Sequence, residues 1–149
     1  MILPGHAHTV GPADGRLVDL GIIRMRVLAA GDAVTGRAFT LAEFTGDEGP
    51  WSVPHVHRGM EESFFVLDGE FTFRVGDDEV TAGPNSYVLV PRQTPHVLAA
   101  GPGGGRCLCL MVPGGHEDMF FELGDLGFDS LRDPEIRAAI SARYDSVPV

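Results

Sequence analysis

The chain contains no lysine: its 11 basic residues are all arginine, set against 21 acidic ones, for a formal charge of −10. Such a surface argues against a polyanionic partner, so neither nucleic acid nor an anionic membrane face is expected. Cysteine is almost as scarce. Cys107 and Cys109 lie two apart in Arg-Cys-Leu-Cys-Leu-Met-Val, share one face of a β-prone run and cannot easily bridge each other. They read as small core residues in a reducing compartment, with a second soft-metal or redox site as the alternative. No apolar run approaches the roughly 20 residues of a membrane helix. The start, Met-Ile-Leu-Pro-Gly-His, lacks a basic region and an uninterrupted apolar one, so a cytoplasmic protein is expected. Helical periodicity is also missing until after Pro113.

What is present instead is a rhythm of short strands. Residues 1–16 are rich in Gly, Pro and His without a sustained period and suggest an extended arm or disordered start. His6 and His8 within it have no nearby carboxylate and are expected to be solvated. From residue 17, runs rich in Val, Ile, Phe and Thr alternate with Gly, Pro and Asp breaks, giving roughly nine or ten strands up to residue 112. Arg24 and Arg26 alternate with Ile23, Met25 and Val27, while Phe39, Leu41 and Glu43 share a face. Asp68-Gly69 reads as a two-residue hairpin turn, and the glycine-rich stretch 101–105 as a longer one. Because that stretch precedes a strand and not a helix, a phosphate cradle is the weaker reading. The fold class is therefore all-β, a sandwich or barrel, in one domain of 149 residues.

The informative stretch is Gly49-Pro-Trp-Ser-Val-Pro-His55-Val-His57-Arg-Gly-Met-Glu61-Glu62-Ser-Phe-Phe-Val-Leu-Asp-Gly69. In extended chain, His55 and His57 leave the same face of a strand, and a carboxylate follows at the start of a β-prone run. Neutral imidazoles with a carboxylate suit Fe, Mn, Ni, Co, Cu or Zn better than a thiolate-preferring metal. His96 opens another apolar run after the Pro-flanked turn 91–95. It would reach the same interior if the sheet curls into a barrel.

These spacings resemble the cupin family. Its first motif, Gly-x5-His-x-His-x3–4-Glu-x6-Gly, is met by Gly49, His55, His57, Glu62 and Gly69. Its second, a Gly, then Pro-x-Gly-x2-His-x3-Asn, is met by Gly83, Pro91 and His96, with Gln93 in place of the glycine and Ala100 in place of the asparagine. The resemblance implies a double-stranded β-helix, or jelly roll, and a divalent transition metal held by His55, His57, Glu62 and His96. Glu61 and Glu62 take opposite faces of the strand, and the six-residue gap to Gly69 selects Glu62. A loosely held Glu62 is also the expected catalytic base.

After Pro113 a helical tail (113–149) is expected. One helix spans 116–124, with Met119, Phe120 and Leu123 on a face; another starts at Asp133-Pro134-Glu135 and carries Ile136, Ala139, Ile140 and Tyr144 at helical spacing. The segment from Pro113 to Gly124 also resembles the tail of small quercetin-dioxygenase-like cupins. Phe39, Phe64, Phe71, Phe73, Met111 and Trp51 are available to line a pocket, with Arg92 the one cation near its mouth. The resemblance implies a dioxygenase taking O2 and a small aromatic or enolic, flavonol-like substrate. A redox-neutral cyclase or isomerase and a non-catalytic metal-dependent binding module are the alternatives. Open sheet edges and the arm suggest a homodimer.

Overall fold

The computed structural model describes residues 5–149. The start of the expected arm, residues 1–4, lies outside the described residues. Among the described residues, ten strands and four short helices follow one another. The strands are β1 (Leu17–Asp19), β2 (Ile23–Ala29), β3 (Thr40–Gly46), β4 (Gly49–Pro50), β5 (His55–Val56), β6 (Glu61–Val75), β7 (Asp78–Ala82), β8 (Tyr87–Val90), β9 (His96–Val112) and β10 (Val147–Pro148). The helices are α1 (Gly31–Val34), α2 (Glu117–Gly124), α3 (Phe128–Leu131) and α4 (Pro134–Arg143).

The architecture is set by the two long strands, β6 and β9, which pair antiparallel over nearly their whole lengths. The far half of β9 lies between β6 and β3, and β2 and β1 continue that layer, with β8 on the other side of β6. The near half of β9 lies between the end of β6 and the pair β4 and β5, with β7 beyond β6 and β10 beyond β5. All these pairings are antiparallel, and two facing layers share two bent strands. This is the expected all-β jelly roll with few and small helices.

The bend overturns the reading of Asp68-Gly69 and of 101–105 as hairpin turns. Both stretches lie inside continuous strands, opposite each other, with Asp68 facing Arg106 and Gly69 facing Gly105. Register shifts fall between Val66 and Asp68 and between Gly69 and Phe71. An inserted residue reverses which face a strand buries. Accordingly β6 buries Glu62, Phe64 and Val66 before the bend and Phe71 and Phe73 after it, while β9 changes from His96, Leu98 and Ala100 to Cys107, Cys109 and Met111. The glycines bend the strands without reversing them. Gly104 is the tightest point: at φ +74, a Cβ there would stand 2.2 Å from the Gly46 carbonyl oxygen.

On β3 the inward set is Thr40, Ala42 and Phe44, so the expected face of Phe39, Leu41 and Glu43 points outward. Pairing with β9 puts Ala42 opposite the buried Cys109, and Glu43 outside, where it meets Arg26 and Arg106 at 3.4 Å each. On β2, Ile23 and Met25 are buried between the exposed Arg24 and the half-buried Arg26, as the alternation requires. The arm is fastened along β2. Arg26 donates to the Gly11 and Asp14 carbonyls, and His8 Nε2 bonds the Leu28 carbonyl at 2.7 Å, so His8 is tied to the barrel although exposed.

In the tail, α4 begins as its sequence requires: the Asp133 carboxylate accepts from the Glu135 and Ile136 amides, with proline at N1. Met119, Leu123, Leu131 and Ile140 form a small cluster beside the main core, whereas Ile136 is exposed. Three features were not expected. The turn at Gly31 opens into the short α1, the one-turn α3 forms between the two expected helices, and the chain returns to the sheet after α4, where β10 pairs with β5.

Candidate metal centre

The motif histidines lie where the near half of β9 meets β5, with His55 directly opposite His96. Glu62, on the second strand position of β6, faces the same interior, opposite Met111 of β9 and Val90 of β8. His55, His57, Glu62 and His96 are all buried, and one donor atom from each falls within 4.8 Å of the others. His55 Nε2 and His57 Nε2 are 3.2 Å apart, and one oxygen of Glu62 lies 3.4 Å from His57 Nε2 and 3.3 Å from His96 Nε2. Glu61 points the other way and pairs with Arg92 at 3.0 Å, both half exposed. That ion pair removes Arg92 as a free cation for the pocket.

The orientation of the rings matters as much as their proximity. Each imidazole places Nδ1 against a main-chain carbonyl: His55 against Val53 at 2.7 Å, His57 against Asp145 at 2.6 Å and His96 against Thr94 at 3.0 Å. Nδ1–H is then the donor and Nε2 keeps its lone pair for the centre. Such bonds fix tautomer and ring direction in metal sites. Three neutral imidazoles and one carboxylate, closely set and with no unsatisfied buried side-chain polar atom in the described residues, fit a divalent transition metal.

Without a metal the rings differ in their tendency to carry charge. Burial, and then the neighbouring His96, push His55 down to about 4, so that ring is neutral near pH 7. Burial opposes charge on His57 as well, but the hydrogen bond and charge of Glu62 outweigh it and raise its pKa. Burial alone would raise Glu62, yet bonds from His57 and His96 hold it well below the ordinary carboxylate range. Cys109 donates its S–H to the other Glu62 oxygen at 3.4 Å, and burial pushes both thiols up, Cys107 to about 12. Thiols kept protonated are poor soft-metal ligands, and no donor group of three or more among the described residues includes them. His6 and His8 likewise join no such group.

Three of the four donors, His55, His57 and Glu62, line a cavity of about 350 Å3 between the barrel and the tail. Trp51 and Phe64 line it as expected. Trp51 is fixed by its Nε1–H to the Asp47 carbonyl and by edge packing on Phe71 at 4.8 Å. Phe71, Phe73 and Met111 are fully buried core and do not line the cavity, and Phe39 lies outside. Phe44, Phe120, Arg137 and His116 line it and were not anticipated as site residues. His116 is a fourth buried imidazole, edge-on to His57 at 4.9 Å and hydrogen-bonded to the Tyr144 backbone; burial lowers its pKa. In sequence it reads only as the start of a helix.

With the fold and this cluster in view, comparison with known proteins is decisive at the level of family. Residues 42–113 match the cupin domain, a segment spanning β3 to the end of β9. The chain belongs to the cupin superfamily. Among curated cupins it is 29% identical over 100 residues to the quercetin 2,3-dioxygenase of Bacillus subtilis (strain 168), covering 67% of this chain and 29% of that protein. It is 30% identical over 124 residues to the quercetin 2,3-dioxygenase of Aspergillus japonicus, covering 76% and 35%. The chain thus spans about a third of the length of these relatives. Solved structures share the cupin fold at lower identity. KdgF from Halomonas sp. superposes with a TM-score of 0.65 at 18% identity, covering 74% of this chain and 98% of that one. An RmlC-like cupin from Shewanella frigidimarina gives 0.63 at 18%, covering 76% and 96%. Pac13, described as a nucleoside dehydratase, gives 0.61 at 14%, covering 76% and 88%.

Proposed function

We propose that this cupin is a metal-dependent dioxygenase acting on a small aromatic or enolic substrate, with His55, His57, Glu62 and His96 as metal ligands. The observation that carries the reading is the buried three-imidazole, one-carboxylate cluster opening directly on an apolar, aromatic-lined cavity. The quercetin 2,3-dioxygenases among its relatives support the choice of reaction. A redox-active divalent metal held by these four residues would supply Lewis-acid activation of an enol and redox chemistry toward O2. The chain's own residues do the rest. Trp51, Phe44 and Phe64 bind the face of a planar guest and exclude water. Glu62, when not engaged by the metal, accepts the proton of the substrate hydroxyl: the substrate O–H breaks as a carboxyl O–H forms. Cys109, bonded to the second Glu62 oxygen, keeps the carboxylate aimed.

One observation favours a second reading, the redox-neutral cyclase or isomerase. His116 is a non-ligand imidazole in the cavity wall and offers a proton carrier that needs no oxidant. Oxygen-electrode measurements with a flavonol, on apo-protein reloaded with Fe(II), Mn, Ni, Co, Cu or Zn, separate the two. Oxygen uptake with the redox-active metals and none with Zn is the expected result. Equal turnover with Zn and without O2 assigns the cyclase or isomerase, and metal uptake without turnover of either kind assigns a binding module.

We also propose that the protein is a homodimer. Tyr87, Leu89, Phe65 and Leu110 are all more than a third exposed on adjacent strands, Phe65 opposite Tyr87 and Ser63 between Leu89 and Leu110. A second copy laid on this outward face would bury it. Light scattering tests the assignment, and a monomer refutes it.

A further inference from the structure

Residues 144–149 are remote from the histidine motif in sequence and lie against it in space. Tyr144 closes α4, and Asp145 follows at φ +60, a left-handed conformation that Asp and Asn tolerate better than other side chains. The turn directs three oxygen atoms of Asp145 at one short loop. Its carbonyl accepts His57 Nδ1–H at 2.6 Å, across 88 residues of chain. Its carboxylate accepts the Arg58 amide at 2.9 Å with one oxygen and the Gly59 amide at 2.8 Å with the other. Beyond it, Val147 pairs with Val56 and Pro148 with His55, and the Val149 amide donates to the Pro54 carbonyl at 3.2 Å. The whole segment from Pro54 to Gly59 is held by the last residues of the described chain. The same residues shape the cavity, since Ser146 and Pro148 line it.

We propose that Asp145 is a positioning residue of the metal centre. This rests on the reading of the four-donor cluster as a metal site. An imidazole held only through Nε2 can still rotate about its side-chain bonds, and a ligand that must first be ordered binds metal more weakly. The Asp145 carbonyl removes that freedom by fixing the His57 ring with Nε2 inward. The Asp145 carboxylate, through two charge-assisted bonds to successive amides, fixes the backbone on which the ring is carried. Outer partners of this kind are worth roughly 10–100-fold in metal affinity. The tail is thus part of the centre as well as a wall of the pocket.

The test is Co(II) binding to the full chain, followed by the visible absorption of the bound ion and by competition with a chelating dye. Asp145→Gly keeps the carbonyl and the left-handed turn but removes the carboxylate. It should raise the Co(II) dissociation constant about 10–100-fold and alter the visible band. Asp145→Asn, which keeps one acceptor oxygen and the turn preference, should recover most of that loss. A residue that served only folding would lower the melting temperature in Asp145→Gly and leave affinity and spectrum unchanged at temperatures where both proteins are folded. Binding within about threefold of wild type, with the same band, overturns the proposal. Nitrogen NMR of Zn-loaded wild-type protein gives a second reading that needs no variant: His57 should show a protonated, exchange-protected Nδ1. A His57 ring protonated at Nε2 overturns the proposal. Wild-type protein that takes up no Co(II) or Zn at all overturns the metal site itself and this inference with it.

Discussion

The strand wall and the helical tail make unequal contributions to one site. The wall supplies all four donor side chains: His55 on β5 and His57 just after it, Glu62 at an inward position of β6, and His96, from a separate motif, at the start of β9. The tail supplies the outer partner of His57, the His116 imidazole, and the Arg137, Ser141 and Ser146 lining of the cavity. What the wall provides is determined by strand alternation, and what the tail provides by where a distant segment comes to rest. The difference teaches that the identity of His57 as a donor and its orientation are encoded at different ranges, whereas His55 and His96 are oriented by carbonyls only two residues away.

The largest expected effect separates two adjacent residues of the wall. Glu62→Gln keeps the shape of the side chain but loses the charge and the proton acceptor, and should lower turnover by about 10^2–10^4-fold. Glu61→Gln breaks only a half-exposed ion pair with Arg92, worth at most about 1 kcal/mol, and should leave turnover near wild type. Steady-state oxygen uptake by the two variants checks this, and the reverse order would place the wrong carboxylate in the site.

Next comes the bend on which both layers depend. Gly104→Ala sets a Cβ 2.2 Å from the Gly46 carbonyl at a positive φ, so the backbone itself must move. The expected cost is about 3 kcal/mol or more, read from urea unfolding. An unchanged midpoint would mean that the strands are free to bend elsewhere.

Protonation offers a milder perturbation of the wall alone. His55, pushed down to about 4, meets metal as a neutral ring at pH 7, whereas His57, raised by Glu62, is the ring whose proton competes with the metal as pH falls. Metal affinity should therefore fall as pH drops through the raised His57 value, with about one proton taken up per metal released. In the apo-protein the signs separate. The raised His57 adds stability that is full below its unfolded pKa and lost as pH rises through its folded one; the depressed Glu62 adds stability lost only as pH falls through its own low value; and His55 costs stability progressively as pH falls from its ordinary range towards about 4. Isothermal titration in buffers of different pH measures the proton count. The smallest effect belongs to the tail: Asp133→Ala removes a helix cap and should cost about 1 kcal/mol in thermal unfolding without changing metal content.

Sequence was legible where the physics is local. Alternation and turn residues are enough to see an all-β sandwich, and the spacing of Gly49, His55, His57, Glu62 and Gly69 singles out the residues that the fold gathers. The cap at Asp133 follows from three residues alone. Sequence misled where a break in alternation has two meanings. Asp68-Gly69 and 101–105 interrupt the pattern whether the chain reverses or only bends, and just the pairing of the two breaks across β6 and β9 decides between them. The inward face of β3 was missed for a similar reason, because Phe39 and Leu41 are as apolar as Ala42 and Phe44, and the partner strand selects the face. His116 and Asp145 carried no readable signal, since their partners His57, Arg58 and Gly59 are more than 50 residues away along the chain.

The central claim is that His55, His57, Glu62 and His96 form one metal centre within a barrel that does not need the metal to fold. Elemental analysis of purified wild-type, His57→Ala and His96→Ala proteins, alongside circular dichroism, tests it most directly. The account predicts about one divalent transition metal per wild-type chain, near-background metal in both variants, and the same β-rich spectrum in all three. Full retention of metal by both variants with unchanged spectra would contradict it.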